Sequence, residues 1–142
     1  GAIFGGYYTD LARMAVIGKP SQRQTDTYSK FYEVQQRSLA ATKPGVTGEE
    51  LFDISIQAHR DLGLGDRVMV GHSIGLKIHE RPIAAPGEPW VVEEGMVMCI
   101  ENGSTEDQYN ERYHIEDTIL VTKDGYEMLS DYANSEEMLV IE

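Results

Sequence analysis

Cysteine is almost absent from this sequence: Cys99 stands alone among 142 residues. A single thiol excludes an internal disulfide and any zinc knuckle built on paired thiols. Cys99 lies in the apolar run Met96-Val97-Met98-Cys99-Ile100, where a buried, inert thiol is expected. Such sparse use of cysteine fits a reducing cytoplasm, the expected location. Basic side chains are also scarce, with 12 Lys and Arg against 24 Asp and Glu and a formal net charge of -12. A phosphate backbone is held by clustered Lys and Arg, so a nucleic-acid partner is excluded. No apolar run approaches the roughly 20 residues that cross a bilayer. No basic, apolar, small-residue leader opens the chain, so neither a membrane nor secretion is expected. Internal repeats, low-complexity tracts and linkers are lacking as well.

The hydrophobic share of 41% suffices for one packed core. Gly1 to Ile17 is rich in Gly, Tyr, Ile and Val and reads as two strands, or one bent strand, interrupted at Gly5-Gly6. After a turn at Gly18-Lys19-Pro20-Ser21, the positions Tyr28, Phe31, Tyr32, Val34, Leu39 and Ala40 recur with helical spacing. That predicts a helix from about Gln22 to Ala41, ended by Lys43-Pro44-Gly45. Thr47-Gly48-Glu49-Glu50 matches a capping box and opens a second helix, with Leu51, Ile54, Ala58 and Leu62 on one face and Gly63-Leu64-Gly65 as its end. Val68 to Ile78, Gly95 to Glu101 and Tyr113 to Thr122 are β-rich, divided by Ala85-Pro86-Gly87, Asn102-Gly103-Ser104 and Lys123-Asp124-Gly125. The fold class is α+β, a mostly antiparallel sheet covered by two helices.

Four segments set acidic or imidazole groups in strand-like, glycine-flanked sequence. Asp10, Glu101 and Glu116 each sit among β-branched and aromatic neighbours. A buried carboxylate is costly unless paired or bound to a cation. Each taken singly reads as a solvent-facing strand residue; several beside a glycine-flanked histidine strain that reading. Gly71 and Gly75 allow close backbone approach and unusual dihedrals around His72. His79 follows seven residues on, an odd offset that an extended strand places on the opposite face. A bulge or turn must intervene for both to reach one site.

The elements Gly71-His72-Ser73-Ile74-Gly75-Leu76 and Ile78-His79-Glu80-Arg81-Pro82 resemble the histidine signature of the pita-bread metallopeptidases, which include methionine aminopeptidase, aminopeptidase P and prolidase. Tyr8-Thr9-Asp10-Leu11-Ala12-Arg13 resembles their aspartate strand. Gly95 to Glu101 resembles their glycine-methionine strand, and Ile115 to Thr122 their last ligand strand. Lys43-Pro44-Gly45 matches a loop of the family. The matches run in family order over nearly the whole chain. The resemblance implies that residues 1–142 are a partial pita-bread catalytic domain, its second half.

It further implies a dinuclear centre of two divalent ions (Mn, Co, Zn or Fe) in the full-length protein. Asp10 and Glu116 would bridge the ions, and His72 and Glu101 would belong to one of them. The family's first aspartate would fall two residues before Gly1, so the expectation for this stretch alone is one weakened site or none. A water between the ions would attack a peptide or small amide substrate, as in an Xaa-Pro aminopeptidase or dipeptidase. Glu101 would be general base, and His79 would contact the substrate or its oxyanion. His114, where relatives often carry Arg, is assigned with His79 to substrate binding, and Asp117 to orienting a ligand. Val68 replaces a common histidine and Asn102 a common proline. The alternatives are a non-peptidase amidohydrolase of this fold, acting on creatine- or ectoine-like amides, and an inactive peptide- or protein-binding module. The homodimer is the oligomeric form considered.

Overall fold

Two capping boxes start the two helices. The structure is a computed structural model that describes residues 1–104, 109, 111–130 and 135–142. Ser21 caps helix α1 (Gln22–Ala41): its hydroxyl accepts from the Gln24 backbone N–H, and the Gln24 side chain accepts from the Ser21 backbone. Thr47 and Glu50 do the same for α2 (Gly48–Asp61), which Gly63 then terminates at φ 70°. The buried stripe of α1 is Tyr28, Phe31, Val34, Gln35, Ser38 and Leu39, while Ala40 is exposed and Tyr32 half-buried. The α2 stripe is turned from the expected one. Phe52, Ser55, Ile56 and His59 flank Leu51 and Ala58, and Ile54 faces outward.

The strands are β1 (Ala2–Phe4), β2 (Tyr7–Thr9), β3 (Ala15–Ile17), β4 (Gly71–Ser73), β5 (Glu80–Ile83), β6 (Val97–Gly103), β7 (His114–Thr122), β8 (Gly125–Met128) and β9 (Leu139–Ile141). The β1–β2 pair is a hairpin whose two loop residues, Gly5 and Gly6, both have positive φ, so the expected break falls there, while the opening segment holds three strands rather than the two or one expected, because β3 pairs with β9 instead of extending the hairpin. Strands β3 and β9 pair in parallel from opposite ends of the chain, which no local pattern announces. The main sheet is antiparallel in the order β5-β4-β6-β7-β8.

Two strand limits differ from expectation. Val68 to Ile78 is strand only over Gly71–Ser73, because the chain turns back through residues 74–79 into β5. Asn102 and Gly103 do not divide strands: they extend β6 and pair with Ile115 and His114.

The sheet has an apolar face and a polar face by simple alternation. Met98, Ile100, Ile119 and Val121 pack on Leu39, Leu51, Phe52 and Ile56 of the helices. A smaller cluster of Tyr28, Phe31, Tyr113 and Ile115 continues this layer. The opposite face is where the acidic and imidazole groups collect. Among the described residues, no helix is long and apolar enough to cross a membrane.

Candidate metal centre

The register of three strands assembles the site. His72 on β4 pairs with Cys99 on β6, and Cys99 with Thr118 on β7. One step along, Glu101 of β6 stands directly opposite Glu116 of β7. Like charges directly opposite in a sheet repel, and these two carboxylates are 9% and 4% exposed. Such an arrangement requires compensating positive charge.

Imidazoles supply part of it. His72 Nε2 lies 3.7 Å from Glu116 Oε1 and 4.0 Å from Glu101 Oε1. Its Nδ1 lies 3.1 Å from the Ser73 carbonyl, so a proton on Nδ1 leaves the Nε2 lone pair aimed into the site. Burial pushes the His72 pKa down, but Glu116, the Ser73 carbonyl and Glu101 outweigh it and the net shift is upward. His114 Nε2 sits 3.1 Å from Glu101 Oε2 and 3.7 Å from Glu116 Oε2. Burial pushes Glu101 up, yet the hydrogen bond from His114 and the charges of His114, His72 and Arg67 hold it below the usual range. His114 is therefore already engaged with the carboxylates, beyond the substrate contact expected for it.

Glu116 Oε1 remains buried with no hydrogen-bond partner. In a native fold such an atom calls for an explanation, and a cation supplies one. Among the described residues, two sets of donor atoms lie mutually within 4.8 Å: Glu101, His114 and Glu116, and His72, Cys99 and Glu116. Carboxylate oxygens and imidazole nitrogens suit a divalent ion of the Mn, Co, Zn or Fe kind, so the residues present fit a metal centre.

Asp10 reaches the polar face through its backbone. Ala12 and Glu116 exchange hydrogen bonds of 3.2 Å each, and the Thr118 hydroxyl donates to the Asp10 carbonyl. Its carboxylate joins neither donor set; Oδ1 accepts from the Leu11 N–H at 3.1 Å. His79 is brought back by the turn through residues 74–79, its ring edge-on to His72 with centroids 4.2 Å apart. Gly71 provides close approach rather than a special dihedral, since a Cβ there would meet the Cys99 carbonyl oxygen at 2.7 Å.

Behind the site, on the helix side, a buried polar network braces both acidic strands. Asp117 follows Glu116, and its Oδ1 accepts from Arg13 at 2.6 Å and Ser130 at 3.0 Å. Arg13 also donates to the Glu116 carbonyl at 2.8 Å, so Asp117 acts on Glu116 through that cation. Gln35 of α1 donates to Asp117 Oδ2 at 2.9 Å and to the Ile100 carbonyl at 2.8 Å. Its own carbonyl accepts from Asn102, the residue after Glu101, at 2.8 Å. His59 Nε2 lies 3.1 Å from Asn102 Oδ1. Gln35 and Asn102 were not singled out in the sequence for this role. The available signal was a glutamine in the middle of an apolar helical stripe.

The comparisons with known proteins agree with this picture. Residues 1–123 match the model of metallopeptidase family M24. The chain is 36% identical to the Xaa-Pro dipeptidase of Pyrococcus furiosus over 132 residues, 92% of this chain and 38% of that protein. It therefore spans under two fifths of that relative's length. The solved prolidase from Pyrococcus furiosus superposes with a TM-score of 0.87 at 35% identity, over 94% of this chain and 40% of that one. The X-Pro aminopeptidase from Thermotoga maritima superposes with a TM-score of 0.90 at 29% identity, over 99% and 40%. On the family match and the shared architecture, this chain belongs to metallopeptidase family M24 and has the pita-bread fold.

Proposed function

We propose that residues 1–142 are the metal-binding portion of an Xaa-Pro peptidase that hydrolyses the amide bond of a small peptide. The observation that carries this is the buried Glu101–Glu116 pair, with His72 Nε2 at 4.0 and 3.7 Å from them and Glu116 Oε1 unpartnered. His72, Glu101 and Glu116 would hold the ion or ions, and Asp10 would join them once its side chain turns from the Leu11 N–H. Bound divalent ions supply Lewis acidity and a lowered water pKa at such a site.

The protein's own groups do the rest. Glu101, kept ionised by His114, is the proton acceptor. His79 lies against His72 at the rim of the carboxylates, where it can donate to the substrate carbonyl as negative charge grows there. His114 is half-exposed, so it can exchange its carboxylate contact for one to substrate. Manganese or cobalt is the proposed occupant, on the oxygen-rich donor set.

The test is hydrolysis by the full-length protein, loaded with Mn²⁺ or Co²⁺. It is offered Xaa-Pro dipeptides, peptides with N-terminal Met, and ectoine-type amides. Xaa-Pro cleavage is expected. Turnover of the ectoine-type amides alone would move the protein to the non-peptidase hydrolases of this fold. Failure to retain metal or cleave anything would favour a binding module.

A further inference from the structure

Beside the carboxylates the site face carries sulfur. Cys99 lies two residues before Glu101 on β6, so both side chains leave the sheet on the same face. It is fully buried and paired in register with His72 on one side and Thr118 on the other. A ring nitrogen of His72, the Cys99 Sγ and a carboxylate oxygen of Glu116 lie mutually within 4.8 Å, a triangle small enough for one ion to close. A second observation, apart from the cysteine, points to a ligand here: Glu116, 4% exposed, has its Oε1 without a hydrogen-bond partner, with His72 Nε2 3.7 Å away. Among the described residues, the polar contact of the sulfur is with Thr118 Oγ1 at 3.5 Å, a weak interaction that an ion can displace.

We propose that Cys99 is a ligand of the metal centre, making it a mixed sulfur, nitrogen and oxygen site that prefers Co²⁺ or Zn²⁺ to Mn²⁺. This rests on the reading of His72 and Glu116 as ligands. It refines the oxygen-based expectation of manganese, because a thiolate donor favours the softer ions. On binding, the sulfur–metal bond forms, the S–H bond breaks and the proton leaves to solvent. No electron is transferred, so no oxidant is needed. A buried thiol that would otherwise be inert thereby gains a role in ion choice.

Cobalt reports this directly. The metal-free full chain is titrated with Co²⁺ while the visible d–d bands and the near-ultraviolet sulfur-to-cobalt charge-transfer band are recorded. The titration is repeated with Cys99→Ser and Cys99→Thr, and with Mn²⁺ as competitor. Within residues 1–142 Cys99 is the one cysteine, and loss of the charge-transfer band in Cys99→Ser assigns it to that sulfur. Both bands are expected to saturate together in the wild type. In the variants the charge-transfer band is expected to vanish and Co²⁺ affinity to fall roughly tenfold or more, with Mn²⁺ affinity changed less. Visible bands without charge transfer in the wild type would overturn thiolate ligation and leave the metal centre standing. Absence of any cobalt spectrum would overturn both readings. Absence of the charge-transfer band in the wild type decides against thiolate ligation even if a variant misfolds.

Discussion

At the residue scale, the site depends on charges whose positions are costly without a cation. Glu116 is the least dispensable, since it faces His72, His114 and Glu101 at once. Glu116→Ala is expected to abolish metal retention in the full-length protein; full stoichiometry by elemental analysis would refute its ligand role. His79 is different, because its ring packs edge-on against His72 but belongs to neither donor set. His79→Ala is expected to lower kcat about 10²-fold or more while bound metal is unchanged. Loss of the ion in that variant would mean His79 holds the centre together instead. His59 gives a pH prediction away from the ligands. Burial pushes its pKa below the usual 6.5, ahead of the opposing bond to Asn102. Arg67 pushes it further down, and the Gly65 backbone and Asp66 oppose. The unfolded chain therefore takes up the proton first as pH falls, and stability is lost as pH drops through the unfolded value toward the folded one. Urea unfolding from about pH 7.5 to about pH 5.5 should show wild type losing more stability than His59→Gln. Equal losses would place the acid sensitivity elsewhere.

At the element scale, the helices were the most legible part, and their polar content the least. The spacing of Tyr28, Phe31 and Leu39 predicted α1 between the residues it occupies, and Thr47 with Glu50 announced α2. Short strands were legible as β-rich runs but not in their limits: residues 74–79 look like strand and instead turn, which is what brings His79 to His72. The identity of His72, Glu101 and Glu116 as a group came from motifs, while their register came only from strand pairing. Gln35, Ser38, Ser55 and Asn102 carry no signal of burial in the sequence, because polarity normally marks solvent, yet all are buried and bonded to one another or to the strands. Gln35 ties the residue after Glu101 to the residue after Glu116, so it is a positioning residue for both. Gln35→Leu would take one hydrogen-bond partner from each of Asn102, Asp117 Oδ2 and the Ile100 carbonyl. Each costs about 1–3 kcal/mol. Ion affinity should fall roughly 10- to 100-fold as the two acidic strands lose their common brace. A variant that unfolds earlier but binds the ion with unchanged affinity would reduce Gln35 to a structural role.

At the scale of the whole molecule, the proposed centre would be a cross-link. His72, Glu101 and Glu116 come from β4, β6 and β7, the three middle strands of the five-stranded sheet, and the helix layer is packed on the reverse of β6 and β7. An ion held by all three exists only when the sheet is paired, so binding and folding are linked. Without it, the facing carboxylates repel across β6 and β7 and Glu116 Oε1 lacks a hydrogen-bond partner. Both penalties vanish in the unfolded chain, which lowers the stability of the metal-free state. At a free ion concentration 100 times Kd the gain is about 2.7 kcal/mol. For a chain of 142 residues this corresponds to a rise in Tm of roughly 5–10 °C. Thermal unfolding followed by circular dichroism, with and without Co²⁺, checks it. The rise should depend on ion concentration, be absent in Glu116→Ala, and persist in His79→Ala, whose side chain lies outside both donor sets. A Tm that does not respond to the ion in wild type, under conditions where the ion is bound, would mean the centre sits on one strand or loop rather than across the sheet.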